Sequence, residues 1–287
     1  FIFDKFFYYE LKQLGVKNIY YLPLAVNTDR LNSQLNSQTR EEKDRFSADI
    51  SFVGSMYHKN SYDDIKDKLP PYLRGYFDAA MLAQLNIYGD NIIDELLTVD
   101  ILKQLSEFVD FRQDKRAFSD IRLVFESTFL GFKLANIERV RTLNLLAKKN
   151  KVALYTDEQD TSLINVDFKG TVDYMNDMPK VFNNSSINLN MTIRNIRTGI
   201  PLRVWDILGA GGFLLTNYQI ELTDYFKNEE SIVYYEDMYD CCKKAEYYLL
   251  HEDKRRQIAA KGHELVSKKH SYINRVKYIL DVIGKMS

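Results

Sequence analysis

The stretch INLNMTIRNIRTGIPLRVWDILGAGGFLLTN, residues 187–217, decides the fold. INLNMT predicts a strand, and a helical pattern then begins near Pro201 and ends in the glycines of 209–212. FLLTN predicts a second strand directly after those glycines. A strand, a helix and a strand in this order predict two parallel strands joined by a crossover helix.

The same alternation continues on both sides of this unit. The further strand patterns are DISFVGS (49–55), KVALYTD (151–157), VDFKGTVDY (166–174) and SIVYYED (231–237). The helical patterns between and after them are MPKVFNNSS, ELTDYFKN and a long tail at about 238–284. Strands that alternate with helices form a parallel sheet with both faces covered. We therefore predict an α/β fold with a Rossmann-like parallel sheet.

Three segments lie outside this alternation. Residues 1–26 predict a helix and then a strand, and the polar stretch at about 28–48 predicts a linker. Residues 61–149 carry apolar side chains at helical spacing, which indicates a large helical insertion after the first strand of the domain. The predicted domains are thus 1–48 and 49–287, with the insertion inside the second.

Composition excludes several classes of protein. The 287 residues are 45% hydrophobic and 28% charged, which is ordinary for a globular protein and excludes wholesale disorder. A formal net charge of −1 gives no bulk positive field, so we expect no nucleic-acid partner. No apolar run reaches the ~18 residues that a membrane span needs. The first residue is Phe, so we expect a piece of a longer protein.

The cysteines and histidines predict no metal site. Cys241 and Cys242 are adjacent within a helical pattern, and adjacent cysteines rarely form a disulfide. We expect two reduced cysteines, which suits a cytoplasmic protein. None of the four histidines has the spacing of a zinc motif.

The loop TIRNIRTGIPLR is the strongest candidate for binding an anion. Arg194, Arg197 and Arg203 surround Gly199, and the helix that begins near Pro201 adds unpaired amides and a partial positive charge. Such an end suits a phosphate or diphosphate. The alternative, left open, is a basic surface loop whose arginines pair with nearby acids.

Asp206 follows the start of that helix by about one and a half turns. A carboxylate among apolar neighbours and near a phosphate site could accept hydrogen bonds from vicinal hydroxyls. It could equally pair with Arg203 along the helix, or face solvent.

Two other loops offer candidates. Gly54 and Ser55 end the first strand of the domain, where a glycine lets the backbone approach a ligand, and His58 follows as a candidate proton carrier. In the second loop, Gly170 and Val172 could present backbone groups to a planar base while Tyr174 stacks on it; a plain turn is the alternative.

The run GAGG at 209–212 lacks the third glycine of a dinucleotide fingerprint and precedes a strand, so it predicts a helix C-cap with tight packing.

Residues 49–60 and 150–275 resemble bacterial glycosyltransferases of the group 1, CgeB-like type. The resemblance is carried by DISFVGSMY, by GTVDYMNDMPKVFNNSSINLN and above all by 187–217. It implies the C-terminal, donor-binding domain of the GT-B fold, with 1–48 as a remnant of the N-terminal domain. It also implies C-terminal helices that return toward that domain.

The resemblance also implies roles for residues. Asp206 stands at the later acid of the family's E-x7-E pattern, which holds the ribose hydroxyls, whereas the earlier acid is replaced by Thr198. The arginine loop and Gly54 would face the diphosphate, 170–174 would flank the base, and Asn217 and Tyr218 would lie near the sugar.

The function implied is transfer of a sugar from a nucleotide-diphosphate sugar to a hydroxyl of a glycan, a protein or another surface-polymer precursor. No metal and no tightly bound cofactor are expected, the location is the cytoplasm or the inner membrane face, and this chain alone is not expected to be a complete enzyme. His58 is the one local candidate for a catalytic base. Two alternatives are a catalytically silent binding or scaffolding module and a sugar-nucleotide epimerase of the same architecture.

Overall fold

A single six-stranded parallel sheet forms the centre of the protein. The structure is a computed structural model that describes residues 1–109 and 121–286. The strands are β1 (Ala48–Val53), β2 (Val152–Tyr155), β3 (Val166–Phe168), β4 (Ser185–Asn190), β5 (Leu214–Asn217) and β6 (Val233–Tyr235). Their spatial order is β3-β2-β1-β4-β5-β6, which is the doubly wound order of Rossmann-like domains. The predicted α/β fold is therefore confirmed.

Helices cover both faces of the sheet. The described helices are α1 (Lys5–Gln13), α2 (Thr28–Asn36), α3 (Arg40–Arg45), α4 (Ser61–Ile65), α5 (Pro71–Gln84), α6 (Ile93–Leu96), α7 (Val99–Ser106), α8 (Ile121–Val124), α9 (Phe132–Leu146), α10 (Met178–Asn184), α11 (Leu202–Gly209), α12 (Leu222–Tyr225), α13 (Met238–Leu250), α14 (Glu252–Lys269) and α15 (Tyr272–Met286). A π-helical turn at Phe125–Gly131 leads directly into α9.

The apolar runs of the strands are buried because both faces of the sheet are covered. Side chains on one face pack with α10 and α11, and Trp205 of α11 is fully buried there. Side chains on the other face, among them Phe52 and Leu189, pack with α9, α13 and α14. Side chains of a strand alternate between its two faces, so a strand buried on both sides is apolar almost throughout.

The predicted helical insertion is observed in the described part of 61–149, whereas 110–120 lie outside the described residues. Its helices enclose a separate apolar cluster that contains Leu73, Phe77 and Leu130. α9 is the crossover helix between β1 and β2, so the insertion lies inside one β-α-β connection.

The segment 28–48, predicted as a linker, is instead helical. α2 has Asn27 as its N-cap, and α3 begins with a capping box in which Thr39 and Glu42 bond each other's backbone amides. Leu31 and Phe46 are both 2% exposed, so these two apolar residues fix the segment to the core. The polar composition of the segment reflects the exposed faces of two short helices.

The first 26 residues pack against the C-terminal helix. α1 is helical as predicted, but 20–26 contribute only isolated bridges instead of the predicted strand. Arg275 of α15 donates hydrogen bonds to the carbonyl oxygens of Pro23 (2.7 Å) and Leu24 (3.0 Å). Val26 pairs with Ser271 in a parallel bridge.

The GAGG run forms the C-cap that the sequence predicts. Gly211 has φ +73, its amide donates to the carbonyl of Leu208, and the amide of Gly212 donates to that of Ile207. This pair of bonds is the Schellman motif, which satisfies the last carbonyls of α11. A Cβ at Gly212 would lie 2.5 Å from the carbonyl oxygen of Phe182, so glycine is required there for close packing.

We predict that Gly212→Ala destabilises the protein by about 1–3 kcal/mol, because the added methyl group forces backbone atoms apart. Gly75→Ala is the matched control, since nothing lies within 4 Å of a Cβ at that position of α5. The control should be neutral or gain about 0.5–1 kcal/mol from helix propensity. Urea denaturation measures both, and equal effects of the two substitutions would contradict the packing role of Gly212.

Candidate functional site

The crevice of a doubly wound sheet lies at the carboxyl ends of the strands, where the strand order reverses. Here β1 and β4 are neighbours at that reversal, with Phe52 opposite Leu189. The loops at 54–60 and 191–201 follow these two strands and border the crevice. α11 begins where the second loop ends. The candidate site is therefore at these two loops and the start of α11.

Three candidate residues meet at α11: Arg203 and Asp206 belong to the helix, and Tyr174 belongs to the loop after β3. The hydroxyl of Tyr174 donates to Oδ1 of Asp206 (3.1 Å), and Nη1 of Arg203 lies 3.8 Å from Oδ2 of the same carboxylate. Burial raises the pKa of Asp206, an effect that the charge of Arg203 opposes. Burial, with the charge of Asp206 as a smaller cause, raises the pKa of Tyr174 to about 12. A hydroxyl thus already contacts the carboxylate proposed to bind hydroxyls.

The three arginines of the loop do not converge on one point. Arg194 turns inward to Glu138 (3.4 Å) and lies over the ring of Tyr88, whose centroid is 4.5 Å away. Arg197 pairs with Glu126 (3.2 Å). Each of these acids belongs to the insertion or to α9, so the loop is held by buried ion pairs to that part of the chain. Arg194 and Arg197 therefore pair with nearby acids, which is the alternative to binding an anion.

The backbone of the same loop does form an anion site. The amides of Arg197, Thr198 and Gly199 converge on Oδ2 of Asp4, at 2.9, 3.2 and 3.2 Å. We call these three amides the 197–199 cradle. Successive amides aimed at one oxygen are typical of anion-binding nests. A Cβ at Gly199 would lie 3.1 Å from Asp4 and from the carbonyl of Phe3, so glycine permits this close approach.

Thr198 lies between two carboxylates. Its hydroxyl oxygen is 2.9 Å from Oδ1 of Asp4 and 2.7 Å from Oε1 of Glu221, and both acids are almost fully buried. Glu221 also accepts from the amide of Lys5 (2.6 Å) and the hydroxyl of Tyr21 (2.5 Å). An acid at position 198 would add a third carboxylate to this cluster, which explains physically why a threonine fits there.

Gly54 and Ser55 follow β1 directly, at the carboxyl end of the strand. The amide of Gly54 donates to the carbonyl of Tyr155 (3.0 Å), which extends the pairing of β1 with β2. The carbonyl of Ser55 accepts a hydrogen bond from Arg139 of α9, a residue that no sequence motif singles out. Arg139 also donates to the carbonyl of Met191 (2.7 Å) and is 7% exposed.

The side chain of His58 contacts Glu158 near the surface. Its Nε2 lies 2.6 Å from Glu158, which also binds Lys59 at 2.7 Å. Lys59 first, and then His58, hold the pKa of the Glu158 carboxyl below its usual range. His58 therefore faces the loop after β2, beside the crevice.

The remaining candidate residues lie in different surroundings. The side chain of Asn217 is buried and bonds both the amide (2.8 Å) and the carbonyl (2.9 Å) of Thr192. Tyr218 packs against Gly89 of the insertion. Gly170 has φ +71 and open space around it, and Val172 packs partly on the core below.

In 1–109 and 121–286, no group of three or more His, Cys, Asp or Glu side chains is placed to hold a metal ion. Over the same ranges, no helix combines the length and the apolar character needed to cross a membrane. Both cysteines of α13 are free thiols, and Cys241 is buried.

A family model described as glycosyl transferase-like matches residues 137–281, just over half of the chain. The chain belongs to this glycosyl transferase-like family. The match includes most of α9, the cradle, α11 and most of α15. No match to a curated protein was found.

Several solved structures are similar in fold. HepE of Anabaena in complex with UDP is 9% identical with a TM-score of 0.48, and the match covers 99% of this chain and 62% of HepE. A glycosyltransferase from Rickettsia africae is 11% identical with a TM-score of 0.47, covering 98% and 61%. S. aureus TarM, a mutant in complex with fondaparinux, alpha-GlcNAc-glycerol and UDP, is 13% identical with a TM-score of 0.48, covering 95% and 41%. The chain spans roughly two fifths to three fifths of these proteins.

Glu126 generates a prediction about pH. Burial raises the pKa of this carboxyl to about 7 from an ordinary 4.5, an effect that Arg197 opposes and Asp94 adds to. The folded protein therefore holds the proton more tightly than the unfolded chain does. Its stabilising contribution is complete below about pH 4.5 and is lost as the pH rises through about 7.

Glu126→Gln should remove this pH-dependent loss of stability. The free energy of unfolding of the variant, relative to that of the parent, should therefore rise by on the order of 2 kcal/mol between pH 4.5 and pH 8. Urea denaturation across that range is the measurement. Glu246→Gln, at an exposed ion pair with Lys149, is the control and should follow the parent curve. Parallel curves for Glu126→Gln and the parent would rule out the titration.

Proposed function

We propose that this chain is the donor-binding part of a glycosyltransferase that transfers a sugar from a nucleotide-diphosphate sugar to an acceptor hydroxyl. The observation that carries the proposal is the position of Asp206 on α11, beside the crevice, in a member of the glycosyl transferase-like family. A half-buried carboxylate with a hydroxyl partner is suited to bind the vicinal hydroxyls of a ribose.

The carboxylate of Asp206 can accept the further hydrogen bonds that binding a ribose requires. Tyr174 is the one hydrogen-bond donor to it among the described residues, and it contacts Oδ1. Oδ2 faces Arg203 at 3.8 Å, beyond hydrogen-bond distance. An ionised carboxylate accepts up to about four hydrogen bonds, so two ribose hydroxyls can be added. Tyr174 would then act on the ribose side of the nucleotide, while Gly170 and Val172 flank the base.

The diphosphate is proposed to bind at the cradle and the start of α11. The three amides that hold Asp4 are the donors that a phosphate oxygen needs. When the sugar is transferred, negative charge develops on the departing nucleoside diphosphate. Fixed amides, a helix N-terminus and Arg203 can stabilise that charge, so the proposed reaction uses no bound metal.

The acceptor and the catalytic base are proposed to belong to the rest of the protein. The chain spans roughly two fifths to three fifths of the solved structures above, so a GT-B enzyme with a second domain is proposed. His58 pairs with Glu158 and remains the local candidate for a base. A bacterial, CgeB-like enzyme of the cytoplasm or inner membrane face, acting on a glycan or other surface-polymer precursor, is the finer form of the proposal.

One observation favours a second function, a silent binding module of the same fold. Arg194 and Arg197 are each paired with a buried acid, and Asp4 occupies the cradle. A module that only assembles with partners would keep such pairs permanently. Nucleotide binding distinguishes the two functions.

The first test is thermal protection of the chain by nucleoside diphosphates. UDP or GDP at millimolar concentration should raise the melting temperature, and the shift should grow with ligand concentration by mass action. Asp206→Asn should reduce the affinity about tenfold or more, because an amide NH₂ replaces one acceptor oxygen. Asp281→Asn, at an exposed pair on α15, is the matched control. No shift with any nucleotide would refute the donor site.

A second test concerns Asp4. If phosphate binds the cradle, it must displace the Asp4 carboxylate, so Asp4→Ala should tighten UDP or GDP binding by about tenfold while lowering stability. Asp224→Ala is the matched control, because Asp224 holds the same segment through Lys5 (2.8 Å) and is not bonded to the cradle. Weaker binding by Asp4→Ala than by the control would exclude the cradle as the phosphate site.

A further inference from the structure

Arg139 lies between the two crevice loops and has no role in the proposed binding scheme. Its guanidinium is almost fully buried on α9 and joins two loops through their backbones. One bond reaches the carbonyl of Ser55, after β1, and the other reaches the carbonyl of Met191, after β4. β1 and β4 are the strands at which the sheet reverses its order, so one side chain spans the floor of the crevice.

Arg139 differs from the other arginines at the site in its distance from carboxylates. Arg194, Arg197 and Arg203 each lie within 4 Å of a carboxylate. In the part of the chain that the structure describes, Arg139 forms no such ion pair. It donates to two neutral carbonyls, while Tyr57 and the carboxylate of Glu138 favour its charged form. Burial lowers its pKa, which reflects the cost of keeping this cation away from water. An anion at the crevice would offset that cost.

Aromatic rings fix the guanidinium in place. The ring centroids of Phe52 and Tyr57 lie 5.3 and 4.9 Å from it, and Tyr57 stacks on Phe132 at 4.8 Å. Tyr57 has φ +51, a left-handed conformation that is strained for a non-glycine residue. The strained tyrosine and the cation–π contacts together hold Arg139 in a single geometry.

We propose that Arg139 is a positioning residue of the donor site, which sets the spacing of the two crevice loops and supplies an unpaired positive charge behind the diphosphate. The ligand class it selects is a nucleoside diphosphate over the corresponding nucleoside. Arg139 acts by holding the two loops in place and through the electrostatic field of its charge, without touching the ligand. This inference rests on the proposed function, because it assumes that the crevice holds a diphosphate.

The test compares ligands with and without phosphates on the full 287-residue chain. Affinities for UDP, uridine and inorganic pyrophosphate, or for GDP and guanosine if the guanine nucleotide binds better, are measured for the parent, Arg139→Met and Arg139→Lys. Arg139→Met should weaken UDP and pyrophosphate binding at least about tenfold and leave uridine binding within about twofold. Arg139→Lys should keep most of the UDP preference, because it retains the charge.

The possible outcomes separate the two claims. An equal loss of UDP and uridine affinity in Arg139→Met would mean a purely structural role and would overturn the inference. If Arg139→Met does not fold, Arg139→Lys decides, because loss of its UDP preference would overturn the role of charge. If the parent binds pyrophosphate but gains nothing from the nucleoside, the proposed function fails while the effect of Arg139 on pyrophosphate still tests the inference. A parent that binds none of these ligands overturns both.

Discussion

A buried hydrogen bond between the two central strands supports much of this architecture. The hydroxyl of Ser51 on β1 lies 2.8 Å from Oδ1 of Asn188 on β4, and both side chains are inaccessible to water. The side-chain Nδ2 of Asn188 also donates to the carbonyl of Phe182, near the end of α10. Two polar side chains that satisfy one another at the middle of an apolar sheet fix a single register, since a slip would leave both unpaired. The reversal of strand order, and with it the crevice, depends on this register.

Charge at the crevice is distributed over segments that are distant in sequence. The N-terminal segment supplies Asp4 to the cradle, the insertion supplies Glu126 to Arg197, and α9 supplies Glu138 to Arg194. Removing one member of such a buried pair leaves a desolvated charge, which is costly. The loop after β4 is therefore held by the insertion on one side and by the N-terminal segment on the other.

The sheet could be predicted because its information is local. Apolar runs, a proline at a helix start and glycines at a helix end act within a few residues of one another. The helices at 28–48 were missed because few apolar residues, Leu31, Leu35 and Phe46, carry their signal. Of the candidate residues, Tyr174 was predicted from a loop and Asp206 from a helix, and the structure brings these two side chains together. Arg139 was missed because its acceptors are backbone carbonyls, which leave no mark in the sequence.

The position of the insertion also has a consequence for how the chain folds. β1 must pair with β2 across about a hundred intervening residues, as in the pairing of Ile50 with Val152. Closing so long a loop costs entropy before any strand contact repays it, and folding slows as the mean separation of contacts grows. The insertion has an apolar core of its own, which contains Phe77 and Leu130 and can form from contacts closer together in sequence. Once that core has formed, the two strand ends are joined by a compact body, and the effective length of the loop falls.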